Sequence, residues 1–157
     1  MKQKFIDLYM EIAHVVAKTS TATRLKVGAV AVKDHRVLSL GYNGTPPGDD
    51  NECEFREYTL GGSAAYLDED GSSYNIVTKP EVIHAEQNLI YKMARDGQSA
   101  KGADIFVTHA PCIECAKAIV TSGFSRVWFG EQYRSDEGLK FLEKRGIEVV
   151  KISKNAV

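Results

Sequence analysis

Phe5, Ile6, Leu8, Tyr9, Ile12, Ala13, Val16 and Ala17 recur every three or four positions, so one side of residues 3–18 is apolar and the other polar. That period predicts an amphipathic helix, broken by the hydroxyl-rich run Thr19-Ser20-Thr21-Ala22-Thr23. The next apolar run, Val27 to Val32, suits a buried strand, and Asp34-His35 turns it into a second run, Val37 to Leu40; the two predict a hairpin. After residue 84 the pattern alternates. Helices are expected over 84–95, 112–121 and 136–145, the last two closed by Gly123 and Gly146. Strands are expected over 103–108, 126–129 and 147–152. Strands alternating with helices predict an α/β layer structure with at least partly parallel strands.

Two segments break the alternation. Gly41-Tyr42-Asn43-Gly44-Thr45-Pro46-Pro47-Gly48 is a dense cluster of backbone punctuators. Residues 49–80 show no convincing period and lean acidic (Asp49, Asp50, Glu52, Glu54, Glu57, Asp68, Glu69, Asp70). They are expected to form an insertion loop without much regular structure, either solvated or acting as a lid. No repeat or linker divides the chain, so its 157 residues are expected to form a single domain, 1–157.

Composition narrows the function. Charged residues make up 26% of the chain and the formal net charge is −1. That balance argues against a nonspecific grip on nucleic acid, which needs a clustered basic surface. No apolar run reaches the length of a membrane span, and the charged start, Met1 to Met10, does not resemble a secretory leader. Three cysteines suit a reducing compartment better than a disulfide framework. The expectation is a cytoplasmic protein without nucleic-acid or membrane partners.

The decisive chemistry lies in His84-Ala85-Glu86 and, 24 residues later, Pro111-Cys112-Ile113-Glu114-Cys115. An imidazole and two thiolates make three ligands for one zinc ion, with the fourth position open to water. Glu86, not needed as a ligand, suits a general acid/base. Both motifs fall at expected helix starts, where the dipole favours thiolates and where His84 and Glu86 can face one pocket. H-x-E…P-C-x-x-C is the signature of zinc nucleobase deaminases, which predicts hydrolytic deamination. Other readings stay open at this point. A closed site could add Cys53 as a fourth ligand, giving a zinc-stabilised binding module without catalysis. Cys112 and Cys115 could form a redox pair. A base deaminase acting on tRNA or DNA is a further rival, disfavoured by the charge.

The chain resembles the zinc-dependent deoxycytidylate (dCMP) deaminases of the cytidine deaminase superfamily. The likeness is carried by the zinc motifs, Val27-Gly28-Ala29-Val30, Gly41-Tyr42-Asn43-Gly44-Thr45-Pro46, Cys115-Ala116-Lys117-Ala118-Ile119 and Gly146-Ile147-Glu148-Val149. It implies a three-layer α/β/α cytidine deaminase-like fold with a five-stranded mixed sheet. It also implies conversion of dCMP to dUMP and ammonia, feeding thymidylate synthesis, or action on another cytosine nucleotide. By the same resemblance, His84, Cys112 and Cys115 hold one catalytic Zn²⁺ and Glu86 shuttles protons. Asn43, Gly44, Thr45, Arg24, Lys26, Ala85, Tyr133 and Arg134 are the implied substrate contacts. Tyr42 and Asn43 are the implied contacts of a triphosphate effector with Mg²⁺, dCTP activating and dTTP inhibiting a homo-hexamer. A second, structural zinc through His14, His35 and Cys53 is not expected. His109 is expected either to line the pocket or to cap its strand.

Overall fold

Along β1 (Gly28–Lys33) successive side chains enter two different cores. Val30 and Val32 point one way, with Phe106 of β6 (Asp104–His109) and Trp128 of β7 (Arg126–Glu131). They meet Ile6, Tyr9, Met10 and Ala13 of α1 (Gln3–Ala17), the buried stripe of the amphipathic pattern. Ala29 and Ala31 point the other way, with Ile105, Val107, Val127 and Phe129. Against them lie Leu89 and Met93 of α2 (Ala85–Arg95), Ile119 of α3 (Ile113–Ser122) and Leu142 of α4 (Glu137–Lys144). The period of two in each strand thus sorts one sheet between two helical layers. These relations come from a computed structural model, which describes residues 1–60 and 64–152.

The sheet has the order β2-β1-β6-β7-β8, with β2 spanning Arg36–Tyr42 and β8 Glu148–Lys151. β1 runs antiparallel to both its neighbours, whereas β6, β7 and β8 are mutually parallel. The three-layer fold and its five-stranded mixed sheet are as expected. The β1–β2 turn places Asp34 and His35 at φ 50° and 60°, the paired positive values of the hairpin turns that match strand twist. His35 rests its ring on Phe5, with centroids 4.5 Å apart. Among the described residues no helix is long and apolar enough to cross a membrane.

Residues 49–80 depart from the expected loop. They carry β3 (Glu54–Tyr58), β4 (Tyr66–Leu67) and β5 (Ser73–Thr78), an antiparallel sheet of order β3-β5-β4. Most of its positions are exposed or half-exposed, so there is no buried face to impose an alternating pattern. Cross-strand side chains hold it instead: Tyr74 packs against Tyr58 and Tyr66, the Arg56 guanidinium lies over its ring, and Arg56 also pairs with Asp68.

Candidate active site

One end of the main sheet gathers the functional side chains. Because β1 is antiparallel to β6, its beginning lies beside the carboxyl ends of β6 and β7, the edge at which open α/β sheets bind ligands. A cleft of about 510 Å³ opens there, large enough for a small-molecule ligand. Val27 and Asn43 line it from the β1–β2 side, His109 and Ala110 from the end of β6, and Glu131 to Arg134 from the end of β7. His84, Ala85, Glu86 and Cys112 form another wall.

Two helices start at this wall. His84 is the N-cap of α2 and Cys112 the N-cap of α3, both in extended conformation, while Cys115 falls in the first turn of α3. The Nδ1 atom of His84 lies 3.5 Å from Cys112 Sγ and 3.4 Å from Cys115 Sγ. A tetrahedral zinc with bonds of about 2.0 Å to nitrogen and 2.3 Å to sulfur sets those donors about 3.5 Å apart. The chemistry and the spacing of the donor set therefore both fit Zn²⁺. All three donor atoms lie within 4.8 Å of one another, and among the described residues no fourth joins them. Cys53 is buried elsewhere, 3.4 Å from the Thr21 hydroxyl. That separation keeps Cys53 out of the donor group, which is left with three members, the number an open zinc site supplies.

The donors are electrostatically poised. Hydrogen bonding from the Cys115 thiol, assisted by His84, holds Cys112 down at about 3, and the same bond together with burial pushes Cys115 up. Its bond to Cys112 raises His84. Glu86, in the first turn of α2, is 4% exposed and its carboxyl is raised by burial. A buried carboxyl held above its ordinary range, at the edge of a ligand-sized cleft, is the profile of a group that carries protons.

The glycine-rich segment serves chiefly as scaffolding. Gly44 exchanges backbone hydrogen bonds of 3.1 and 2.9 Å with Ile83, fixing the chain that delivers His84. A Cβ at Gly41 would stand 2.1 Å from the carbonyl oxygen of Ala85, so its bareness lets β2 touch the first turn of α2. Asn43 lines the cleft, yet its Oδ1 accepts from Val27 N–H at 2.8 Å and its Nδ2 donates to Leu25 O at 2.8 Å. Its amide thereby clasps the loop between α1 and β1.

Of the other expected contacts, Arg24, Ala85, Tyr133 and Arg134 line the cleft. Lys26, Gly44, Thr45 and Tyr42 are not among its lining residues. Thr45 donates to Asp50 O, and the Tyr42 ring lies beneath the Lys92 ammonium at 5.3 Å. His109 does face the cleft, with Nδ1 3.0 Å from the Thr108 hydroxyl, which also accepts from Gly28 N–H at 3.2 Å. Sequence reasoning missed Glu54 and Thr78, which reach the cleft from the small sheet; with no strands expected in 49–80, nothing in the sequence marked them. A further residue without a chemical signal is Gly138 in α4. A Cβ there would stand 2.0 Å from Pro111 O and 2.9 Å from the carbonyl carbon of Cys112.

Residues 3–131 match the family described as the cytidine and deoxycytidylate deaminase zinc-binding region. The chain is similar to the deoxycytidylate deaminase of Enterobacteria phage T4, 32% identical over 170 residues that cover 92% of this chain and 88% of the phage protein. It is also 32% identical to the deoxycytidylate deaminase of Saccharomyces cerevisiae over 154 residues, covering 98% of this chain but 46% of the yeast protein. Among solved structures it matches the dCMP deaminase of cyanophage S-TIM5 in complex with dCMP and dUMP, with a TM-score of 0.81 and 38% identity over 97% of this chain and 99% of that one.

Proposed function

The chain belongs to the cytidine and deoxycytidylate deaminase zinc-binding family, and from that membership we propose that it hydrolyses dCMP to dUMP and ammonia. The observation that carries the reading is the buried Glu86 carboxyl beside the His84, Cys112 and Cys115 donor group at the wall of the cleft. Its relatives' substrate is a nucleoside monophosphate, and the cleft offers Arg24 and Arg134 to an anionic group.

His84, Cys112 and Cys115 would hold zinc, which supplies the Lewis acidity that brings water ionisation toward neutral pH. Glu86 takes a proton from the attacking water and delivers it to N3 of the cytosine as the oxygen bonds to C4. It then carries the second proton to the exocyclic nitrogen, and the C4–N4 bond breaks to release ammonia. Burial suits Glu86 to both transfers, because a raised carboxyl gives up its proton at a pH where an exposed one is already ionised. Val82, Leu25 and Val27 give the cleft an apolar lining beside these groups. In this reading Arg24 and Arg134, which both line the cleft, meet the 5′-phosphate, and Asn43 keeps the backbone of residues 25–27 in place.

Control belongs to the same proposal: a cytoplasmic homo-hexamer activated by dCTP with Mg²⁺ and opposed by dTTP, its dUMP going to thymidylate synthesis. An effector activates only by binding the competent state better than the incompetent one. Sigmoidal dCMP kinetics should therefore turn hyperbolic with dCTP and Mg²⁺; hyperbolic kinetics indifferent to both triphosphates would overturn that part. The activity itself is tested by incubating the zinc-loaded protein with dCMP, dCTP, deoxycytidine and cytosine and measuring ammonia release. Fastest turnover of dCMP is expected. Equal efficiency on deoxycytidine would move the protein to the nucleoside branch, and no ammonia from any of the four would overturn the reading.

A further inference from the structure

The loop that brings Arg24 to the cleft is pinned from two sides. At residues 25–27 the clasp is Asn43. At residues 23–24 it is the small sheet. Glu54 in β3 accepts from Thr23 N–H with both carboxylate oxygens, each at 3.1 Å, and from Arg24 N–H at 3.2 Å. Thr78 in β5 receives the Arg24 guanidinium itself, Nη1 to Oγ1 at 3.1 Å. Glu54 and Thr78 are a directly opposed cross-strand pair in the β3–β5 ladder, so their side chains leave the same face of that sheet side by side. One pair of residues thus grips both the backbone and the side chain of Arg24, and all three line the cleft.

We infer that Glu54 and Thr78 are positioning residues that hold Arg24 at the mouth of the cleft, so that the segment between β2 and α2 sets the affinity for the substrate's phosphate. The inference rests on the reading that Arg24 meets that phosphate. Free arginine side chains lose considerable rotamer freedom on binding; a guanidinium already aimed by a threonine hydroxyl, on a backbone already fixed by a carboxylate, loses less. Preorganisation of this kind is felt in substrate affinity and not in the chemical step. The contact with Thr78 uses one N–H of the five that a guanidinium carries, leaving donors for an anion. Glu54 is engaged with backbone donors through both oxygens, so its charge is directed at the loop and not at the ligand.

The test is steady-state kinetics of the zinc-loaded protein on dCMP and on deoxycytidine. Thr78→Val and Glu54→Ala should each raise the KM for dCMP about fivefold to tenfold, the worth of one ordinary hydrogen bond. Neither should change kcat for dCMP or kcat/KM for deoxycytidine. Thr78→Ser and Glu54→Gln, which keep an acceptor oxygen, should recover most of the loss. In an Arg24→Ala background both substitutions should add nothing, because the group they position is gone. Equal losses on the two substrates, a fall in kcat, additivity with Arg24→Ala, or a lowered KM on removing Glu54 would each overturn the inference. If Arg24→Ala raises the KM but Glu54→Ala and Thr78→Val do not, only the positioning fails. If Arg24→Ala leaves the KM for dCMP unchanged, the phosphate assignment fails and takes the positioning with it.

Discussion

Glu86 and Cys112 sit at the same wall of the cleft, and substitution separates their duties. Glu86→Gln preserves shape and hydrogen-bonding capacity but cannot accept a proton. It should keep one zinc per chain, measured by atomic absorption, while deamination falls by about 10²–10⁴-fold. Zinc lost together with activity would show Glu86 to be a ligand. Cys112→Ala removes a donor from the three-membered group and should lose metal and activity together. That these residues come together was legible in the sequence, because metal chemistry dictates both residue type and spacing. The cationic lining of the cleft was legible only in part. Arg24 and Arg134 were expected and are present, but Lys26 carries the same charge nearby in the chain and does not line the cleft. Charge alone does not say which way a side chain leaves its loop.

Among the elements, the two sheets differ in what stabilises them. Phe106 is fully buried between β6 and α1, stacked on Trp128 at 5.5 Å with rings 5° from parallel. Phe106→Ala should cost about 3–5 kcal/mol in urea denaturation. Tyr66→Ala in the small sheet removes a stacked but 48% exposed ring, and the loss there should stay near or below about 1 kcal/mol. The same contrast explains what the sequence revealed. The central strands β1, β6 and β7 are largely buried, so their apolar runs stand out and every main-sheet element was placed to within about two residues. β3, β4 and β5 face solvent on much of their surface, so Glu54, Glu57 and Arg56 interrupt their aromatic residues and the period disappears. Tyr58, Tyr66 and Tyr74 were visible as residues, but their cross-strand partnership was not.

For the molecule as a whole, metal and fold should be separable. The main core lies between sheet and helices, whereas His84, Cys112 and Cys115 occupy one edge of it. Removing zinc by chelation should abolish turnover while circular dichroism keeps a native spectrum and thermal unfolding stays cooperative. A structural zinc site would instead unfold when stripped, so a loss of secondary structure at the moment of chelation would contradict the catalytic reading.

The contact between α4 and the Pro111–Cys112 backbone bears on which sequences this site tolerates. Gly138 has no functional group, yet the space its missing methyl leaves is occupied by the Pro111 carbonyl, just before Cys112. Any side chain there must push α4 and the strand-to-helix turn apart, and a displacement near 1 Å of the turn costs about 10²-fold in rate. A saturation library selected for deamination should therefore return glycine alone at position 138, as strictly as it returns cysteine at 112. The flanking Glu137, which is exposed, should accept most residues. Position 138 would then behave in selection like a metal ligand while contributing no atom to the metal.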